Sequence, residues 1–137
     1  MAKAAKAKQT AVSAAEVIAF VATCDGAKAR AFYQGKLGLR LVSEDPFALV
    51  FDAHGIMLRV QKVQALKPAQ YTVLGWRVPN IRAAVKDLGA AGVAFERYQG
   101  MGQDDLGIWV APSGAKVAWF KDPDGNTLSL TEFRGNN

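Results

Sequence analysis

The chain has 137 residues, half of them hydrophobic, and a formal net charge of +5. That suits one domain with a packed core and excludes a wholly disordered chain. Lys3, Lys6 and Lys8 supply three of the charges; the remaining body carries no basic stripe of the kind a nucleic-acid surface needs, and no apolar run approaches the ~18 residues of a membrane span.

The opening "MAKAAKAKQT" is basic and Ala-rich, and no apolar segment of a secretory signal follows it. Residues 1–15 are expected to be a disordered or frayed tail outside the fold. "EVIAFVATC" reads as a strand, rich in β-branched and apolar residues. It ends on Cys24, the one cysteine, which excludes an internal disulfide and suits a reducing, cytoplasmic setting. Beyond the helix that follows it, nothing nearby marks Cys24 as a reactive thiol. Asp25 has the side chain of an N-cap. "GAKARAFYQGKL" then places Ala29, Phe32 and Tyr33 at helical spacing. "GLRLVSE" reads as a strand, and "FALVFDAHGIMLRVQ" as two strands around a turn at Ala53, His54 and Gly55. His54, the only histidine, is expected to be an exposed turn residue with no catalytic partner.

After the connector "ALKPAQ" the order returns. "YTVLGWRVP" is a strand, Asn80 a cap, and "IRAAVKDLGAAG" a helix with Ile81, Ala84, Val85 and Leu88 on one face, ended by Gly92. "VAFERY" reads as a strand and "KVAWFKDPDGNTLSLTEF" as a closing hairpin. Asp25 matches Asn80 and Ala29 matches Ala84 at an offset of 55, and Gly38 matches Gly92 at 54. Phe51 then matches Phe120 and Leu58 matches Leu128 at 69 and 70, across the extra segment "QGMGQDDLGIWVAPSG". The expectation is an α+β fold of two βαβββ modules, residues 16–66 and 71–133, forming one domain. They would make a half-open curved sheet or barrel with helices outside and a cavity within. Gly100, Gly102 and Gly107 suggest that the insertion, residues 99–114, is a mobile flap around Trp109. Asp122, Asp124 and Asn126 resemble the start of a calcium loop, but its twelfth position is Phe133, so a tight turn is expected instead.

"ARAFYQGKLGLRLV" together with "AWFKDPDGNTLSL" resembles the vicinal oxygen chelate superfamily of glyoxalase I, extradiol dioxygenases and bleomycin and fosfomycin resistance proteins. The resemblance covers residues 16–133. It implies the paired-module fold and, in many members, one divalent metal held by His or Gln from the first strands and Glu from the last. The matching positions here are Ile18, Val73, Ser129 and, in the first module, Arg59. Ile18 and Val73 lack a donor atom, Ser129 is a weak neutral oxygen, and Arg59 stays cationic. The expectation is therefore no metal and no cofactor.

Strict alternation puts Phe20 beside Ile18, Met57 beside Arg59, Arg77 beside Val73 and Gly75, and Thr127 and Thr131 beside Ser129. With Trp109 of the insertion, the ligand-binding candidates are Ile18, Phe20, Met57, Arg59, Val73, Arg77, Trp109 and Ser129. Trp119, Tyr71 and Tyr98 are further candidates for an aromatic wall, whereas Trp76 is expected to pack under the second helix. Two readings of Arg59 stay open: it meets a ligand carboxylate or phosphate, or its head reaches water or an acid such as Glu132 or Asp52. The functional expectation is a protein that binds a small organic molecule, anionic or aromatic, without a metal. The alternatives are a metal-dependent lyase, isomerase or dioxygenase, and a metal-free enzyme using Arg59 and a carboxylate. Exposed strand edges imply a homodimer; no nucleic-acid or membrane partner is expected.

Overall fold

Each half of the chain runs strand, helix, three strands, in a computed structural model that describes residues 8–135. The first half holds β1 (Ile18–Thr23), α1 (Gly26–Arg30) continued by a π-helical turn (Ala31–Lys36), β2 (Arg40–Glu44), β3 (Ala48–Ala53) and β4 (Ile56–Lys62). The second holds β5 (Thr72–Arg77), α2 (Ile81–Ala90), β6 (Trp109–Val110), β7 (Lys116–Lys121) and β8 (Thr127–Glu132). They give two four-stranded sheets, in the orders β1-β4-β3-β2 and β5-β8-β7-β6, not closed into a barrel. In each, the first strand runs parallel to the last and the others are antiparallel. The α+β fold of two βαβββ units is the one expected from the repeat. No helix among the described residues is long and apolar enough to cross a membrane.

Local chemistry sets the helix starts. Asp25 accepts a hydrogen bond from the Lys28 N–H at 3.1 Å, and Asn80 accepts one from Ala83 at the same distance. Glu132 adds a second acceptor for α2, taking the Ile81 N–H at 3.0 Å. The turn between β3 and β4 puts His54 at φ 50° and Gly55 at φ 89°, the left-handed pair that a tight hairpin needs. His54 is exposed there.

The helices cover one face of each sheet. Leu49, Phe51, Leu58 and Val60 of the first sheet and Phe120, Leu128 and Leu130 of the second belong to a single buried cluster with Phe32, Tyr33, Ile81 and Val85. Phe32 reaches across the modules to Phe120, the rings 6.3 Å apart.

A polar latch joins the modules beside that cluster. The buried Tyr33 hydroxyl donates to Asp122 Oδ2 at 2.7 Å. Asp122 Oδ1 accepts the N–H groups of Asp124 and Asn126, each at 2.9 Å. Asn126 Nδ2 donates to Asp122 Oδ2 and to the Ala22 carbonyl, each at 2.8 Å. Asp124 accepts from the Thr23 hydroxyl at 2.6 Å and from the Cys24 N–H at 2.8 Å. The Asp122–Asn126 turn thus grips the end of β1 and the helix behind it. Asp52, at the matching place in the first module, accepts among the described residues only the Gly55 N–H at 3.0 Å and lies 3.7 Å from Arg40.

The structure departs from the sequence reading in two segments. "VAFERY" forms no strand and makes only a bridge from Phe95 to Phe120. Gln103 competes for its backbone, donating to the Glu96 carbonyl at 2.9 Å and accepting the Tyr98 N–H at 2.7 Å. The outer partner of β7 is instead β6, from within the insertion. The insertion carries hydrogen bonds of its own. Asp104 Oδ1 accepts from the N–H groups of Leu106 and Ile108 at 2.9 and 2.8 Å, and Oδ2 pairs with Arg82 of α2 at 3.1 Å. Arg97 donates to the carbonyls of Asp104 and Asp105. Of the expected tail, residues 1–7 lie outside the described residues; beyond them, Thr10 and Ser13 exchange side-chain-to-backbone hydrogen bonds at 2.8 and 2.9 Å.

Tyr33→Phe removes the hydroxyl from a buried carboxylate and is expected to lower stability by about 2 kcal/mol, read as a shifted urea midpoint at unchanged slope. Burial, and after it the Asp122 carboxylate, pushes the Tyr33 phenol far above its ordinary range. A raised folded-state pKa means that this contribution is whole below about pH 10 and falls above it by about 1.4 kcal/mol per pH unit, as the unfolded chain alone gives up the proton. The variant is expected to lose that part of the alkaline slope.

Candidate functional site

The open faces of the two sheets, opposite the helices, carry the candidate residues. Parallel pairing of β1 with β4 sets Ile18 beside Met57, Phe20 beside Arg59 and Ala22 beside Gln61. Antiparallel pairing with β3 adds Val50 beside Arg59 and Asp52 beside Met57. Because Phe51, Leu58 and Val60 point to the core, alternation turns these neighbours outward. Phe20 is 52 % exposed, Ile18 46 % and Met57 42 %, an apolar surface with one guanidinium in its midst.

A cavity of about 500 Å³ lies over this face, lined by Ile18, Met57, Arg40, Val42, Val50 and Asp52. A smaller one, about 310 Å³, lies where the modules meet, between Phe20, Ala22 and Gln61 on one side and Val73 and Asn126 on the other. The connector closes it with Leu66, Lys67 and Ala69. Arg59 is half-buried and forms no ion pair among the described residues. Both acids proposed for it are engaged elsewhere: Glu132 caps α2 and approaches Lys116, and Asp52 holds its own turn and Arg40. The acid that feels Arg59 is Asp45. Its carboxylate is held below the usual range first by the N–H groups of Phe47 and Ala48, and more weakly by Arg59 and Lys62.

On the second sheet, β5 and β8 pair Gly75 with Ser129 and Arg77 with Thr131. The register shifts between Thr72 and Leu74, so Val73 is the extra residue of a bulge and Thr72 takes the place opposite Thr127. Strict alternation misses this, although Val73 still opens onto the cavity shared with Phe20. Ser129 is buried between Gly75 and Trp119. A Cβ at position 75 would lie 2.7 Å from Ser129 Oγ, so any larger residue there would have to displace the Ser129 hydroxyl. Arg77, at the strand end, sets its guanidinium 5.1 Å over the Phe133 ring and lines a cavity on the helix side.

Trp109 belongs to an aromatic cluster. Its ring lies 5.9 Å from that of Trp119, which meets Tyr98 edge-on at 5.6 Å. Trp119 Nε1 donates to Thr72 Oγ1 at 3.2 Å. Burial, and after it the Glu96 carboxylate, raises the Tyr98 phenol above its usual pKa. Trp76 lies on the other face, stacked on Phe120 at 6.4 Å, as its alternation with Leu74 and Val78 implies.

The eight candidates therefore fall into separate places. Ile18, Met57, Phe20 and Arg59 share the open face of the first sheet, where Arg59 borders neither cavity, and Val73 meets Phe20 at the module junction; Trp109 belongs to the aromatic cluster; Ser129 is covered; Arg77 stands at the edge. Val50, Arg40, Thr72 and the pairing of Trp119 with Tyr98 are further site features. The placement of Val50 and Trp119 was available from alternation with the core residues Phe51 and Phe120, whereas Thr72 needed the bulge to be seen.

The positions where the resemblance implies metal ligands do not fit a divalent cation: Ile18 and Val73 are hydrocarbon, Ser129 is covered and Arg59 is cationic. Among the described residues no three His, Cys, Asp or Glu side chains are placed to share a metal ion.

Solved structures of the same architecture accompany this geometry. A glyoxalase/bleomycin resistance protein/dioxygenase from Alicyclobacillus acidocaldarius superposes with a TM-score of 0.68 at 16% identity, covering 90% of this chain and 94% of its own. One from Nocardioides gives 0.67 at 20% identity, covering 90% and 87%. A lactoylglutathione lyase from Agrobacterium tumefaciens gives 0.63 at 19% identity, covering 87% and 93%. At these identities the likeness establishes the fold alone. No curated protein matches the chain in sequence. The sequence profile of one family matches residues 15–130, nearly the whole fold: the chain belongs to the Glyoxalase/Bleomycin resistance protein/Dioxygenase superfamily.

Proposed function

We propose that this protein binds a small anionic or aromatic organic molecule on its open sheet faces, without a metal ion, as a homodimer in the cytoplasm. The observation that carries this reading is Arg59. A half-buried guanidinium flanked by Phe20, Val50 and Met57 and without an ion-pair partner among the described residues is matched by a carboxylate or phosphate. Charge-assisted hydrogen bonds to it would gain strength from the apolar surroundings. The cavities of about 500 and 310 Å³ are the size of small-molecule sites, which are mostly apolar with a few orienting polar groups. Trp119 and Trp109 offer an aromatic surface for a planar ligand.

The family name spans drug resistance as well as two kinds of enzyme, so membership leaves catalysis open. Binding suits the residues better than metal-assisted chemistry, because none of the four ligand positions supplies a donor set that holds a cation. A metal-free enzyme built on Arg59 and Glu132 fares no better, since that carboxylate is committed to Ile81.

The dimer follows from surface chemistry. Phe20, Ile18, Met57 and Val42 form an exposed apolar band on one face, more than a solvated sheet face ordinarily shows. A second copy laid against it would remove the band from water and enclose the ligand.

In a thermal-shift and calorimetric screen of benzoate, 1-naphthoate and phenyl phosphate, the aromatic anions are expected to stabilise the protein. Arg59→Ala should weaken them by about tenfold or more; unchanged affinity removes the anion reading. Sedimentation at micromolar concentration is expected to give a dimer. Phe20→Asp should give a folded monomer by placing a charge in the shared face.

A further inference from the structure

The internal repeat is broken at one point on the helix side. In the first module Tyr33 is fully buried, its ring 5.9 Å from that of Phe51. It fills the space between helix and sheet. The helix offset of 55 sets Leu88 against Tyr33, and Phe120 stands where Phe51 does. Leu88 is smaller and only half-buried. The corresponding space in the second module is a cavity of about 370 Å³.

Trp76, Phe120 and Leu130 form its floor, Leu37 and Leu39 of the first module one wall, and Leu88 of α2 the other. The mouth carries two cations, Lys36 and Arg77, and one acid, Asp87. None of the three forms an ion pair among the described residues. The floor residues Trp76, Phe120 and Leu130 alternate with open-face positions on their strands, so this cavity lies across the sheet from Arg59 and its neighbours.

We propose that this helix-side cavity is a second binding site, for a small monocarboxylate with an apolar body. The body lies on Trp76 and Phe120, replacing the ring that the first module supplies from its own chain. The carboxylate stays at the mouth, where two cations outweigh one acid. A cation is disfavoured there by Lys36 and Arg77, and a fully apolar molecule leaves both unused. The site needs no metal and no second copy, so it stands or falls apart from the open-face reading.

The test is octanoate titrated into the full chain by calorimetry, with methyl NMR to locate it. Saturable binding is expected, with shifts at Leu37, Leu39 and Leu88 and none at Ile18 or Met57. Leu88→Phe should weaken octanoate by at least about tenfold while the melting temperature holds or rises, as expected when a cavity is filled. Lys36→Gln with Arg77→Gln, both at the surface, should weaken octanoate by about tenfold and leave the neutral octanol unchanged. That pair keeps the test decisive if Leu88→Phe does not fold. The proposal is overturned by no saturation at millimolar octanoate, by shifts confined to Ile18 and Met57, or by binding indifferent to the charge pair.

Discussion

The buried carboxylate of Asp122 is the constraint around which the two modules are organised. It receives the Tyr33 hydroxyl from one module and its own turn's N–H groups from the other, and Asn126 and Asp124 extend the grip to Ala22, Thr23 and Cys24. A buried carboxylate without such partners is strongly destabilising, and a fully bonded one fixes a single arrangement. The apolar cluster alone would tolerate sliding of one module over the other, since burial is not directional. The latch ties the end of β1 to the Asp122–Asn126 turn and sets the junction where Phe20 meets Val73. The small cavity at that junction includes Asn126 itself, so the group that holds the modules together also lines the space between them.

Duplication has been used asymmetrically. Matching caps, Asp25 and Asn80, start matching helices, and matching sheets are wound in the same order. The differences are chemical. Tyr33 is a plug and a hydrogen-bond donor where the second module has Leu88; the first module's turn acid, Asp52, serves only its own hairpin and Arg40, whereas Asp122 spans the molecule. On the open side, one sheet presents apolar chains around Arg59 and the other presents Trp119, Trp109 and Tyr98. These contrasts turn a repeated scaffold into one with distinguishable surfaces, and the scaffold itself dictates no activity.

Much of this was legible in the residues. Runs of β-branched and apolar residues marked β1, β3, β4, β7 and β8, and the structure turns Phe51 and Phe120 inward, as one buried face forces a period of two. Asp25, Asn80 and the glycines after each helix marked the helix limits. What was not legible depends on partners distant in sequence. Gln103 takes the backbone groups that "VAFERY" would have offered a neighbour. The bulge at Val73 exists only relative to β8. Asp104 looks like an ordinary turn acid until Arg82 and two N–H groups are found on it. Asp122 and Asp124 suggested a tight turn, and their hold on the other module came from Tyr33 and Thr23, some hundred positions away at most. The motifs placed the chain in its family, while the missing metal donors at Ile18, Val73 and Ser129 had to be read position by position.

On the proposed reading, the open faces hold an organic ligand where the family resemblance implies a metal. That reading is tested most directly by elemental analysis of the purified protein after equilibration with zinc, nickel, manganese and iron(II) and removal of free ions. The account predicts no stoichiometric metal. One tightly held divalent ion per chain, retained through dialysis and lost on chelation together with a ligand-binding or catalytic activity, would contradict it.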